Sequence, residues 1–391
     1  MDYNSIIAGT MEGIKPSAIR KFFDILAEMS DAISLGIGEP DFITPYHIRN
    51  AGIESLERGY TKYTANAGMS ELRREVSKYL IRRFDLAYNA ANELFITVGG
   101  SEAIDLAIRA IVNPDDEVIV PEPSFVCYVP IVQLAHGVPV ILDTFESDDF
   151  RIRPEELEKL ITPKTKAVVL PYPNNPTGGI LEKEDLEKIA EILRDKNIMV
   201  VSDEIYAELT YGGRHVSIAS MPGMRERTIV VNGLSKSHAM TGWRMGYVCG
   251  PKEIISQMAK IHQYAIMCAP TTSQYAAIKA LREGDHDVET MRESYDQRRR
   301  LLVEGVRALG LSCFEPRGAF YAFPCIKSTG LSSAEFCERF LMEEKVAVIP
   351  GNAFGESGEG FVRCCYAASE EDLRESLRRL ERFLKRLRGQ H

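Results

Sequence analysis

Beyond about Tyr46, apolar runs of four to six residues alternate with stretches of ten to fifteen whose apolar positions recur at helical spacing. Such alternation predicts an α/β protein with a doubly wound, mostly parallel sheet. Seven runs read as its strands: residues 94–98, 118–120, 139–142, 167–170, 198–202, 228–231 and 245–249. Their hydrophobicity is continuous rather than alternating, so both faces are expected to be covered. The intervening segments agree, with Ile104, Ala107, Ile108 and Ile111 on one helical face and Leu186, Ile189, Ala190 and Leu193 on another.

After about residue 286 the texture changes. A long helix is predicted over 288–309, stopped by Gly310, and a short α+β region follows. It holds Gly318-Ala319-Phe320-Tyr321-Ala322-Phe323, Val346-Ala347-Val348-Ile349 and Phe361-Val362-Arg363-Cys364-Cys365-Tyr366. The last helix carries Leu373, Leu377, Leu380, Leu384 and Leu387 on one stripe, with Ser369 placed as its N-cap. At about 150 residues per domain, the length implies two or three domains. The pattern favours two: 46–286 as the larger, and 1–45 with 287–391 as the smaller.

Composition narrows the functional class. Apolar residues at 45% and charged residues at 26% are the balance of a globular protein. A formal net charge of −9 argues against a general binder of nucleic acid or anionic membrane, which needs a positive field. No apolar run approaches the roughly 18 residues of a bilayer span, and no secretory signal is visible. The eight cysteines include no C-x-x-C, and adjacent Cys364 and Cys365 would face opposite sides of a strand. Reduced thiols in a cytoplasmic protein are therefore expected. The histidines show no ligand spacing, so no metal site is predicted.

Candidate chemistry collects where an open α/β sheet places its ligands, beyond the carboxyl ends of the strands. Lys236 and Arg244 follow the run 228–231. A lysine there loses hydration, which favours the free amine as a nucleophile toward an aldehyde such as that of pyridoxal phosphate, and an arginine fork pairs with a phosphate. Gly99-Gly100-Ser101 opens a helix whose N-terminus suits a phosphate, although any strand-to-helix turn favours glycine. Phe125 could stack on a flat cofactor or sit in the core; Asn175 presents an amide or simply forms a turn. Asp203, at a buried strand end, needs a partner such as a pyridinium N–H unless it caps a helix, and Tyr206 lies three residues on. Each has an ordinary explanation. Their joint arrival at strand ends does not.

Asn175-Pro176-Thr177-Gly178, Ser202-Asp203-Glu204-Ile205-Tyr206 and Gly233-Leu234-Ser235-Lys236 through Arg244-Met245-Gly246 resemble the signatures of class I/II aminotransferases of the pyridoxal-phosphate fold type I group. The resemblance runs from Gly36-Ile37-Gly38-Glu39-Pro40-Asp41 to Arg363. It implies a fold type I transferase working by ping-pong exchange between an L-amino acid, aspartate-like or aromatic, and a 2-oxo acid such as 2-oxoglutarate. Lys236 would be the Schiff-base lysine and proton shuttle, and Asp203 the partner of the ring nitrogen. Asn175 and Tyr206 would bond the ring hydroxyl, and Phe125 would stack on the ring. Gly100, Ser101 and Arg244 would bind phosphate, and Arg363 would clamp the α-carboxylate beside the Gly38 backbone. Tyr63 corresponds to a tyrosine that reaches the neighbouring subunit's phosphate in a homodimer with shared active sites. Two positions depart from the pattern. Gly233 stands where many members carry a hydroxyl residue, with Ser235 as its substitute, and Ser101 stands where some aspartate-specific relatives carry lysine. A carbon–sulfur β-lyase of the same fold is the alternative. A nicotinamide dehydrogenase is disfavoured because no G-x-G-x-x-G follows a strand.

Overall fold

The computed structural model describes residues 1–3, 5–14, 16, 29 and 31–389, so part of the N-terminal segment assigned to the second domain lies outside the described residues. The strands are β1 (Ile33–Ser34), β2 (Leu94–Thr97), β3 (Glu117–Glu122), β4 (Val138–Asp143), β5 (Thr165–Leu170), β6 (Met199–Asp203), β7 (Thr228–Gly233), β8 (Gly246–Cys249), β9 (Tyr321–Ala322), β10 (Val346–Ala347), β11 (Ile349–Pro350) and β12 (Val362–Cys365). All seven runs read as strands join one seven-stranded sheet in the order β2-β8-β7-β6-β5-β3-β4. Strands β3 to β7 run parallel, whereas β8 is antiparallel to both β2 and β7.

The seven-stranded sheet is filled from both sides by simple alternation. Val118, Val120, Val169 and Val201 face a core shared with Ile104, Ala107 and Ile108 of α1 (Gly99–Ile111). Ile119, Val168, Leu170 and Val200 point the other way, onto Leu186, Ile189 and Leu193 of α2 (Lys183–Leu193). Strand β4 departs from the expectation of cover on both faces: Val138 and Ile141 are 43% and 37% exposed. It is the sheet edge, with β3 as its one neighbour among the described residues. Its apolar run therefore reflects half-buried pairing rather than a central position.

The smaller unit is a three-stranded antiparallel sheet, β11-β12-β9, beside the parallel pair β1 and β10. The β1–β10 pairing ties the N-terminal segment to the C-terminal third of the chain. The sheet packs against α3 (Asp285–Ala308), α4 (Ser333–Glu344) and α5 (Glu370–Leu387). The C-terminal stripe is present, with Leu373, Leu380 and Leu384 buried and Leu377 and Leu387 partly so; Phe383 fills the same face. Ser369 caps the helix, accepting the Asp372 N–H at 3.0 Å. All eight cysteines are free.

Phe383 is fully buried, its ring 5.3 Å from those of Phe336 and Phe340. Phe383→Ala is expected to remove about 3–5 kcal/mol of stability, and Leu387→Ala, on the partly buried rim, clearly less. Urea unfolding followed by far-UV circular dichroism measures both; equal losses would contradict this packing.

Candidate active site

The carboxyl ends of β2, β3, β5, β6 and β7 open onto one cavity of about 410 Å³. Gly38, Gly100, Ser101, Phe125, Asn175, Asp203, Tyr206, Ser235, Lys236, Arg244 and Arg363 all line it. Tyr63 does not. It is 81% exposed and lies in a separate surface groove with Tyr60, Arg73 and Tyr275.

The antiparallel course of β8 explains how Lys236 and Arg244 share a site. The connection from β7 leaves the carboxyl edge and re-enters the sheet at that same edge, where Gly233 pairs with Gly246. A Cβ on Gly233 would fall 2.8 Å from the Met245 carbonyl oxygen and 2.9 Å from the Gly246 Cα. The strand pairing therefore leaves no room for a side chain at Gly233, and Ser235, two residues on, lines the cavity. Gly99, at φ +75°, starts α1 where a Cβ would meet the Arg244 guanidinium at 2.5 Å. The N-terminus of α1, Ser101 and Arg244 thus converge on one corner, a donor set suited to a phosphate dianion. Arg244 is itself held at φ +52° and donates to the Thr241 carbonyl at 3.0 Å.

Lys236 donates from Nζ to the Gly38 carbonyl at 2.5 Å. Burial, seconded by the Arg363 and Arg244 cations and opposed chiefly by Cys365, lowers its pKa to about 8. Asp203, 7% exposed, accepts the Tyr128 hydroxyl at 2.7 Å and the Ile205 N–H at 3.2 Å. Burial dominates over those hydrogen bonds and raises its pKa to about 6. A cationic ring N–H beside this carboxylate would relieve that burial cost.

Arg363, 3% exposed, donates to Asn175 Oδ1 at 2.9 Å and to the Gly36 carbonyl at 2.6 Å. Its guanidinium carbon lies 4.6 Å from the Tyr321 ring centre and 4.7 Å from that of Phe354. Its Nε finds no acceptor among the described residues. A buried guanidinium with one donor unmet is prepared for an anion. Sequence reasoning missed Tyr128 and Tyr321, both on the cavity wall. Tyr128 stood three positions past Phe125, and Tyr321 lay in a run noted only as part of the short α+β region. No spacing rule marked either.

An amine, a carboxylate and two arginines around a cavity with a phosphate corner fit pyridoxal phosphate, and on this α/β scaffold they define a fold type I pyridoxal-phosphate enzyme of amino-group transfer. The pattern described as aminotransferase class I and II matches residues 30–380, and the chain belongs to that family. It is 54% identical to the putative aminotransferase YugH of Bacillus subtilis over 97% of this chain and 98% of that protein. It is 47% identical to an aspartate aminotransferase of Pyrococcus abyssi, covering 95% and 96% respectively. Among solved structures it resembles an aromatic aminotransferase from Pyrococcus horikoshii, with a TM-score of 0.89, 45% identity, and 94% of this chain and 99% of that one covered.

In cofactor-free protein, competitive labelling with an amine-reactive reagent and peptide mass spectrometry is expected to give Lys236 a midpoint at about pH 8. The amine is reactive above that pH and protonated below it, while exposed lysines titrate near ~10.4. A Lys236 midpoint among those of the exposed lysines would overturn the burial argument.

Proposed function

We propose that this aminotransferase moves the amino group of an L-amino acid, aspartate-like or aromatic, to a 2-oxo acid such as 2-oxoglutarate. The observation that carries the reading is that Lys236, Asp203 and Arg363, all buried or largely so, line one cavity. Relatives named for aspartate and for aromatic amino acids support the donor range. Pyridoxal phosphate supplies, when bound, an aldehyde for amine exchange and a ring that accepts electrons from the substrate.

The protein's own residues do the rest. Lys236 would hold the aldehyde in the absence of substrate, and its amine, when free, would carry the α-proton. With a pKa near neutrality, it can both take and return that proton. Asp203 would keep the ring nitrogen protonated, Asn175 and Tyr206 would bond the ring hydroxyl, and Phe125 would lie against the ring. Gly100, Ser101, Ser235 and Arg244 would hold the phosphate. Arg363 grips the substrate α-carboxylate, oriented by Asn175 and with the Gly38 backbone beside it. The exposure of Tyr63 supports a homodimer in which each copy lends this residue to its partner's phosphate site. The large unit is assigned to 46–286 and the small one to 1–45 with 287–391. No described helix is long and apolar enough to cross a membrane, and a cytoplasmic location accords with the free thiols.

Borohydride reduction followed by peptide mapping is expected to place the cofactor on Lys236, and Lys236→Ala to abolish turnover. Asp203→Asn is expected to retain cofactor but lose roughly 100-fold or more in kcat. Arg363→Leu should lose about 2–5 kcal/mol of transition-state binding, read as kcat/KM. Incubation of donors with 2-oxoglutarate is expected to yield glutamate. Release of ammonia and pyruvate without glutamate would instead support the β-lyase.

A further inference from the structure

We propose that Tyr321 is a positioning residue of this site, acting through Tyr206 with its hydroxyl and through Arg363 with its ring. The proposal rests on the roles given above to Tyr206 and Arg363. Tyr321 is 1% exposed. Its hydroxyl lies 2.7 Å from that of Tyr206, and its ring covers the Arg363 guanidinium at 4.6 Å. A Cβ on Gly38 would stand 2.4 Å from the Tyr321 oxygen. The hydroxyl is therefore seated against the glycine whose carbonyl accepts from Lys236. One side chain thus touches the phenol, the carboxylate anchor and the backbone that holds the amine.

The segment that delivers it is tied from two sides. Ala319, at φ +57°, offers its carbonyl to the hydroxyls of both Tyr211, at 2.5 Å, and Tyr366, at 3.2 Å. Tyr321 then pairs with Cys365 across the β9–β12 ladder, which places it beside the strand that carries Arg363.

The hydrogen-bond inventory sets the direction of its action. A tyrosine hydroxyl has one proton. With the cavity free of an acceptor, either hydroxyl can donate to the other. Once Tyr206 donates its proton to an oxygen of the bound cofactor, its own oxygen is left to accept, and the Tyr321 hydroxyl is in place to donate. That second bond polarises Tyr206 and strengthens its donation, as chained hydrogen bonds do. Negative charge on the accepting oxygen is thereby favoured, and the pH at which the holoenzyme changes its visible absorbance is held down by both tyrosines.

Spectrophotometric pH titration of substrate-free holoenzyme tests this. Tyr206→Phe is expected to raise the absorbance midpoint most, and Tyr321→Phe to raise it by roughly half a pH unit. The double variant should shift no further than Tyr206→Phe alone. Tyr321→Phe keeps the buried ring, so its KM for the amino acid should stay within about twofold of the parent. Tyr321→Leu, which uncovers the Arg363 guanidinium, should share the raised midpoint and also raise KM roughly fivefold or more. If Tyr206→Phe moves the midpoint and Tyr321→Phe does not, the positioning role is wrong. If neither moves it, the role of Tyr206 falls, and this proposal with it.

Discussion

Withdrawing an amine, a carboxylate and a guanidinium from water into one cavity is the constraint around which this structure is arranged. Each would be costly alone, because an isolated ion in a low-dielectric interior loses several kcal/mol of hydration. The protein meets the cost differently for each group. Lys236 is pushed toward its neutral form, with the Gly38 carbonyl as its hydrogen-bond acceptor among the described residues. Asp203 is pushed toward its protonated form against two hydrogen bonds that oppose it. Arg363 is given two acceptors and two aromatic faces. The cavity so formed holds an amine and a carboxyl group both shifted toward neutrality by burial, a recurrent property of catalytic sites.

That concentration of polar groups depends on a topological detail. Had β8 run parallel to β7, the chain would have crossed to the opposite sheet edge before entering it, carrying the segment around Arg244 away from the site. The antiparallel return keeps both ends of the connection at one edge. Where β2, β8 and β7 end together the backbones crowd. Gly99, Gly233 and Gly246 occupy that meeting point, and a Cβ on Gly246 would lie 2.6 Å from the Gly99 carbonyl carbon. Strand packing and phosphate geometry thus make the same demand on these positions: absence of a side chain.

The large sheet was legible in the sequence because its strands are buried on both faces, which writes them as unbroken apolar runs; β4 was misjudged because an edge strand can carry the same run half-exposed. The site was legible only as a list of residues that follow strands. Fold type I signatures named Lys236, Asp203 and Arg363, and the structure adds what holds them. Tyr128, Tyr321 and Phe354 act through distance and ring orientation, which are set by contacts between segments far apart in the chain. Linear periodicity carries no record of such contacts. Tyr63 shows the complementary case: it lies outside this chain's own cavity, and the neighbour that the resemblance expects it to reach is a second copy.

The division of labour between the two sheets carries a mechanical consequence. Asp203, Lys236 and Arg244 issue from the large sheet, whereas Arg363 lies on β12 and Tyr321 on β9 of the small one. Among the bonds that join the two sides are Arg363 to Asn175, Tyr321 to Tyr206, and Lys236 to the Gly38 carbonyl. If Arg363 takes the substrate carboxylate as proposed, that anion would meet the Nε that has no acceptor among the described residues. A substrate amine taking the place of Lys236, as proposed, would act on the bond from Lys236 to the Gly38 carbonyl. On that proposal both events fall on contacts that span the sheets, so substrate binding would be coupled to how the residues of the two sheets are held against one another.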